Sequence, residues 1–243
     1  MLSKYITPGD RIEINGVSRG EKDSKGVRKS DKVYQSQVYD LLSEDRLEIV
    51  MPMEKTKLVL LPIDSEYEMF FYTKGGLYQC YARIAERYKT DNVYLIVMEL
   101  ISNLSKYQRR EFYRLSCALD VSIRHMTEEE ETAAKASEYV FDESMPMEKA
   151  IIVDISGGGV RCVGPSCYDA DEMVFLNFAL NIQNQLREYT TAGVVLQSHG
   201  IESRPGEYEY RVKFDNMKTR DREEIIRYIF DEERKYRKRA KGE

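Results

Sequence analysis

Two clusters of polar residues in the second half of the chain have the residue types and the spacing needed to bind an anion. The first is residues 108–114, QRREFYR, in which Arg110 and Arg114 are four positions apart. That spacing puts both side chains on one face of a strand and makes them neighbours on a helix. Two guanidinium groups can therefore converge on one ligand, and their planar forks fit phosphate oxygens or the O6 and N7 atoms of guanine.

The second cluster is residues 154–159, DISGGG, and its groups complement the arginines. The Asp154 carboxylate can accept hydrogen bonds from the N1–H and amino groups of guanine, and the Ser156 hydroxyl can donate or accept. The glycines that end the cluster, including Gly158 and Gly159, have no Cβ atom, which lets a flat base approach the backbone closely. A dinucleotide with two guanines and two phosphates would use both clusters at once. A solvated basic linker or a tight turn could also produce either cluster alone.

Short strands are predicted to position these clusters. Alternating or apolar segments in the first hundred residues predict strands at residues 11–14, 67–72, 77–84 and 93–100. The charged stretch 19–32 has no periodicity and predicts an exposed loop. After residue 100 the chain becomes polar and then basic, which predicts an N-terminal domain at 1–103, a linker at 104–109 and a second domain at 110–243.

The second half is predicted to hold a further set of strands and one terminal helix. The strands are expected at residues 115–124, 150–155, 160–163, 173–180, 190–197 and 208–214. A helix capped by Thr219 or Asp221 is predicted from an apolar stripe at helical spacing, formed by Ile225, Ile226, Ile229 and Phe230. We interpret the acidic segment 126–144 as a solvated insertion with at most a helical turn. The basic tail from residue 234 lies at the C-terminal end of this helix, where positive charge interacts favourably with the helix dipole. Docking of an acidic partner is the alternative role for the tail.

In this order the two clusters resemble the PilZ domain family, whose motif is RxxxR followed by [D/N]xSxxG. Here the motif is Arg110-x-x-x-Arg114 and then Asp154-x-Ser156-x-x-Gly159, so every motif position matches. The resemblance covers about residues 105–235 and includes the closing strand YEYRVKF and the terminal helix. The first hundred residues resemble the N-terminal domain of YcgR-type flagellar brake proteins, through ITPGDRIEI and GGLYQCYARI.

The resemblance implies a mostly all-β chain with two antiparallel β-barrel domains in series, the second a six-stranded PilZ barrel with a terminal α-helix. It implies cyclic di-GMP as the ligand, with the arginines wrapping it and the Asp and Ser reading a guanine edge. Carried over to this chain, the cyclic di-GMP-binding residues are Arg109, Arg110, Arg114, Asp154, Ser156, Gly158 and Gly159.

The resemblance also implies a regulatory role. A flagellar motor or stator protein is the implied partner, and control of exopolysaccharide or biofilm output is the alternative. Because Arg109 and Arg110 lie where the domains are predicted to join, we expect ligand binding to change the interdomain geometry and so expose or hide a partner surface.

Composition excludes several other classes. The hydrophobic fraction is 42%, the charged fraction is 33% and the net charge is −5, which is typical of a folded domain and opposes binding to nucleic acid or an anionic membrane. No apolar run approaches the roughly 20 residues that span a bilayer. The first residues lack the apolar segment of a signal peptide, so a cytoplasmic location is expected.

No metal and no catalysis are expected. The cysteines are predicted to be reduced, buried thiols rather than zinc ligands: Cys80, Cys117, Cys162 and Cys167. No paired carboxylates or activated nucleophile can be recognised, which leaves a nucleotide-acting enzyme as a remote alternative. A PilZ adaptor that no longer binds ligand is a further alternative, and the complete motif argues against it.

Overall fold

A computed structural model describes residues 2–17, 29–136, 141–142 and 144–241. The chain divides into two compact units, Met1–Arg109 and Arg110–Glu243. Most of the predicted loop at 19–32 lies outside the described residues, and its last residues belong to a strand that begins at Lys29.

The first unit is a closed antiparallel barrel. Its strands are β1 (Arg11–Val17), β2 (Lys29–Leu41), β3 (Arg46–Val50), β4 (Met53–Glu54), β5 (Lys57–Leu58), β6 (Glu66–Thr73), β7 (Gly76–Thr90), β8 (Val93–Leu100) and β9 (Ser105–Lys106), preceded by a 3₁₀ turn at Leu2–Lys4. The six barrel strands run in the order β6-β1-β2-β3-β8-β7, and the β6–β7 pairing closes the ring. β4 and β5 form a separate two-stranded sheet, whereas β9 adds to β7.

Apolar side chains at alternate positions of the strands fill this barrel, as expected for strands with one buried face. Ile12 and Ile14 of β1 point inward beside Met69 and Phe71 of β6, and all four are fully buried. The predicted linker, 104–109, is partly structured: Ser105 pairs with Gln79, and the Tyr107 N–H donates to the Leu77 carbonyl.

The second unit is also a closed antiparallel barrel. Its strands are β10 (Arg114–His125), β11 (Glu148–Ser156), β12 (Gly159–Gly164), β13 (Met173–Ile182), β14 (Gln185–Gly200) and β15 (Tyr208–Asp215). They close in the order β10-β11-β12-β15-β14-β13. The prediction of two antiparallel barrels in series is confirmed.

The acidic segment after β10 is not a solvated insertion, and that prediction was wrong. It contains the helix α1 (Glu128–Lys135), which begins with a capping box between Thr127 and Glu130. Glu130 is buried and forms a bidentate ion pair with the buried Arg124, at 2.7 Å for each nitrogen–oxygen pair. Ala134 packs beside Phe175 in a small separate apolar cluster. An ion pair, rather than an apolar stripe alone, therefore holds the helix on the barrel.

The terminal helix α2 (Thr219–Lys241) begins where the capping residues predicted. Ile225 and Ile229 are buried in the core of the second barrel. Phe230, predicted as the last member of the buried stripe, is instead 52% exposed and stacks on Tyr113 with ring centroids 6.2 Å apart. The stripe is therefore narrower than its spacing indicated.

Three cations of the basic tail form ion pairs within α2 itself, Arg234 with Asp231, Lys235 with Glu232 and Arg237 with Glu233.

Candidate functional site

Strand pairing between β10 and β11 brings Arg114, the last residue of the first polar cluster, to the second cluster. Arg114, the first residue of β10, lies directly opposite Ser156, the last residue of β11. Two positions further along the ladder, Ser116 lies opposite Asp154. The Arg114 side chain is exposed and the Asp154 side chain is half-buried. A cation that can reach phosphate and a carboxylate that can read guanine therefore stand side by side at one end of the barrel.

The Ser156 hydroxyl already has partners inside the turn that follows β11. It donates to the Gly159 carbonyl at 3.1 Å and accepts from the Gly158 N–H at 3.3 Å. Ser156 is 9% exposed, so its hydroxyl is at the floor of the site rather than projecting into solvent. A hydroxyl oxygen has two lone pairs, so one remains for a ligand donor.

Neighbouring residues fill the space that side chains would take in the glycine turn. A Cβ atom at Gly157 would lie 2.7 Å from Cδ1 of Phe112 and 2.8 Å from Cγ1 of Ile226. A Cβ atom at Gly158 would lie 3.0 Å from Cδ2 of Phe112. The missing side chains therefore make room for the Phe112 ring, which also lies under the Arg222 guanidinium at 5.7 Å.

Gly159 is required for a different reason. A Cβ atom there would lie 2.2 Å from the carbonyl oxygen of Val212 and 3.0 Å from Cα of Lys213. Both atoms belong to the backbone of β15 and cannot rotate away. Gly159 thus lets β12 and β15 pair at the point where the turn enters the barrel.

Arg109 belongs to the first unit and contacts residues of β1 and β6. Its Nη1 lies 3.3 Å from Oε2 of Glu13 and donates to the Tyr72 hydroxyl at 2.5 Å. Its guanidinium carbon is 5.2 Å from the centre of the Tyr72 ring, and Arg11 lies over the same ring at 4.4 Å. Burial raises the pKa of Glu13, but the hydrogen bonds from Tyr72 and Gln35 and the two arginines outweigh it and lower that pKa.

Arg110, the first residue of the second unit, is exposed and precedes the first strand of its barrel. The next three residues carry two aromatic rings that join the motif to α2. Phe112 packs against Gly157 together with Ile226 of α2, and Tyr113 stacks on Phe230. Sequence reasoning missed both, although aromatic rings inside an arginine motif indicate that the segment is anchored rather than solvated.

A third missed residue is Arg161 of β12, which lies opposite Asp154 in the β11–β12 ladder. Its Nε is 3.9 Å from Oδ2 of Asp154, and its Nη1 donates to Oε2 of Glu209 at 2.8 Å. The signal available in the sequence was its position two residues after Gly159, which puts it on the face of β12 opposite the buried Val160 and Cys162.

Cys117 of β10 is close enough to Asp154 to be affected by its charge. Burial, together with the Asp154 charge, raises the pKa of the Cys117 thiol to about 11, so it stays protonated at neutral pH. Cys167 is exposed, contrary to the prediction that all four cysteines are buried. Among the described residues, no group of three His, Cys, Asp or Glu side chains could hold a metal ion. Nor does any described helix have both the length and the apolar character to cross a membrane.

Comparisons with known proteins agree with this architecture. The family described as PilZ domain matches residues 108–231, and the family described as flagellar protein YcgR matches residues 7–100. The solved structure of the Bacillus subtilis inhibitor of motility, MotI/DgrA, is 17% identical and has a TM-score of 0.69, covering 94% of this chain and 98% of that chain. Escherichia coli YcgR, solved in complex with c-di-GMP, is 11% identical with a TM-score of 0.50, covering 96% of this chain and 88% of that one. No curated protein matches the sequence significantly.

Proposed function

Because the chain belongs to the PilZ domain family, we propose that it is a cytoplasmic, non-enzymatic receptor for cyclic di-GMP. One observation carries the proposal. The β10–β11 ladder sets Arg114 opposite Ser156 and Ser116 opposite Asp154, so Arg114 of the first half of the motif meets the second half on an adjacent strand. One cation for a phosphate and an acceptor for the guanine edge are thereby available on adjacent strands.

Each motif residue has a distinct role in this proposal. Arg110 and Arg114 contact phosphate and guanine through their forked donors. Asp154 accepts from the guanine N1–H and amino group, and Ser156 uses its remaining lone pair while it holds the turn. Gly158 and Gly159 complete the site through the backbone of that turn.

We further propose that binding is coupled to the geometry of the two units. The units divide between Arg109 and Arg110, and the Arg109 guanidinium is engaged by Glu13 and Tyr72 of the first unit. If Arg109 helps to bind the ligand, it must exchange these partners for the ligand anion. Ligand binding and the loss of the Arg109 contacts to Glu13 and Tyr72 would then occur together.

The biological output is proposed from resemblance. MotI is described as an inhibitor of motility, and the first unit matches the YcgR family. We propose that the ligand-bound form regulates flagellar motility through a motor or stator protein. Control of exopolysaccharide or biofilm output is the alternative, and a pull-down with and without cyclic di-GMP distinguishes the two by the partner that is captured.

Titration calorimetry with cyclic di-GMP tests the binding site. Wild type should bind, and Arg110→Ala and Ser156→Ala should each weaken binding, because a charge-assisted hydrogen bond contributes about 1.5–3 kcal/mol, or at least roughly tenfold in affinity. Arg114→Lys should also weaken binding, since lysine keeps the charge but loses the fork. Arg46→Ala, an equal charge change at an ion-paired surface arginine of the first unit, is the control. Equal affinity in wild type and Arg110→Ala would refute the assignment.

A turnover assay tests the enzyme alternative. The mixture of protein and cyclic di-GMP should contain only intact ligand after prolonged incubation. Appearance of a linear or mononucleotide product would replace the receptor proposal with a catalytic one.

A further inference from the structure

Arg161 connects three strands of the second barrel at the position of the guanine-reading carboxylate. It extends from β12, with Asp154 opposite on β11 and Glu209 on β15. Its Nε is 3.9 Å from Oδ2 of Asp154, and its Nη1 is 2.8 Å from Oε2 of Glu209. The side chains are 18%, 32% and 20% exposed for Asp154, Arg161 and Glu209 respectively, so none of them moves freely in solvent.

Glu209 binds the Arg161 guanidinium on one side, and the other side of the guanidinium faces Asp154. A charge-assisted hydrogen bond to Glu209 fixes the plane of the Arg161 fork. The 3.9 Å approach to Asp154 is too long for a hydrogen bond but close enough for electrostatic attraction. Asp154 thus keeps its acceptor lone pairs for another donor while the nearby cation restrains its carboxylate.

A ligand with two phosphates makes this cation more important. A carboxylate that reads guanine must lie near the phosphates of the same dinucleotide, and like charges repel at short range. Arg161 offsets that repulsion without taking the hydrogen-bonding positions of Asp154. Arginine suits the role because its charge is permanent and its plane is fixed by the second carboxylate.

We propose that Arg161 is a positioning residue that fixes Asp154 for recognition of the guanine Watson–Crick edge. The inference rests on the proposed function, since it assigns a role within the same site. It extends that function by making guanine selectivity depend on a residue outside both halves of the motif. The competing explanation is that Arg161 only ties β11, β12 and β15 together.

A double-mutant cycle measured by calorimetry with cyclic di-GMP separates these explanations. Arg161→Gln alone should weaken binding roughly tenfold. In an Asp154→Asn background the same Arg161→Gln change should alter affinity less than about twofold, because the carboxylate it positions is gone. A similar loss in both backgrounds would overturn the proposal in favour of a purely structural role.

The matched control is Arg211→Gln. Arg211 lies opposite Arg161 in the β12–β15 ladder, and among the described residues it forms no ion pair within 4.0 Å. The Arg211→Gln substitution removes the same charge from the same barrel face. Its effect on affinity therefore measures the general electrostatic attraction between the protein and an anionic ligand. An affinity loss in Arg211→Gln equal to that in Arg161→Gln would also overturn the proposal.

A second ligand provides a readout that barrel stability does not affect. Cyclic di-IMP lacks the guanine amino group, so wild type should bind it more weakly than cyclic di-GMP. Arg161→Gln should narrow that difference several-fold, and Arg161→Lys should restore part of it. Unchanged selectivity in Arg161→Gln would contradict the proposal. If wild type binds neither dinucleotide, the proposed function itself fails, and this outcome is distinct from a failure of the Arg161 assignment.

Discussion

Glycine at the motif turn has a packing role that its sequence pattern did not reveal. The run of three glycines predicted that a base can approach the turn, and in the structure the Phe112 ring lies where side chains of Gly157 and Gly158 would be, and the backbone of β15 where that of Gly159 would be. Residue type indicated where a Cβ atom could not be tolerated. It could not indicate which neighbour fills the space, because Phe112 and β15 meet the turn only after the barrel has closed.

Replacement of Gly159 by alanine should destabilise the second barrel. The new methyl group would lie 2.2 Å from the Val212 carbonyl oxygen, so β12 or β15 must shift. Overpacking of this kind costs about 1–3 kcal/mol. Gly200→Ala is the control, since its Cβ atom would meet nothing closer than Tyr208 at 3.9 Å. Chemical denaturation of the two variants measures the difference, and equal midpoints would contradict the close approach.

At the scale of secondary structure, the sequence predicted strands well where one face is apolar. β8 was predicted at its observed bounds, and β15 within one residue, because alternation or an apolar run is continuous in both. β2 was missed, since its first half is charged and its exposed Val33 does not follow an inward pattern. α1 was missed as a packed helix because a buried ion pair, rather than an apolar stripe, attaches it.

The ion pair between Arg124 and Glu130 should be essential for the attachment of α1. Glu130 also accepts from the backbone N–H groups of Thr127 and Asp142. Glu130→Gln leaves the Arg124 guanidinium buried without a counter-charge, which costs about 3–5 kcal/mol. Glu129→Gln makes the same charge change on the exposed side of the helix and should stay within about 0.5 kcal/mol of wild type. Similar unfolding free energies for both variants would show that the pair contributes nothing.

The same pair predicts a pH dependence. The hydrogen bonds from Arg124, aided by the backbone donors and opposed by burial, lower the pKa of Glu130 from 4.5 to about 2 in the folded protein. A lowered folded-state pKa gives stability that is complete above 4.5 and is lost as the pH falls towards 2. The difference in unfolding free energy between wild type and Glu130→Gln should therefore be constant from pH 7 to about 5.5 and shrink below 4.5. A difference in unfolding free energy that stays constant down to pH 3 would contradict the lowered pKa of Glu130.

At the scale of the whole molecule, the connection between the units is where binding and conformation are proposed to meet. The sequence predicted that Arg109 and Arg110 lie at this connection, and the units divide between them. It could not predict the partners of Arg109, because Glu13 and Tyr72 are distant in sequence and become its neighbours only through the β1–β6 pairing.

Removal of the ion pair between Arg109 and Glu13 should strengthen ligand binding. Glu13→Gln removes the carboxylate that pairs with Arg109 at 3.3 Å, in a site where the arginine side chain is 48% exposed. An exposed pair of this kind contributes about 0.2–1 kcal/mol, so affinity for cyclic di-GMP should rise up to about fivefold. In an Arg109→Ala background Glu13→Gln should have no effect, which calorimetry can check. A rise in both backgrounds would assign the effect to Glu13 itself.

Small-angle scattering then tests whether the loss of the Arg109 contacts on ligand binding is accompanied by a change in the conformation of the whole chain. If binding orders the connection around the ligand, saturating cyclic di-GMP should change the pair-distance distribution of wild type. Arg109→Ala should show a smaller change at equal saturation, because the link between ligand and first unit is cut while the motif arginines of the second unit remain. An unchanged distribution in wild type would separate ligand binding from interdomain geometry. Equal changes in wild type and Arg109→Ala would keep the coupling but assign it to contacts other than those of Arg109.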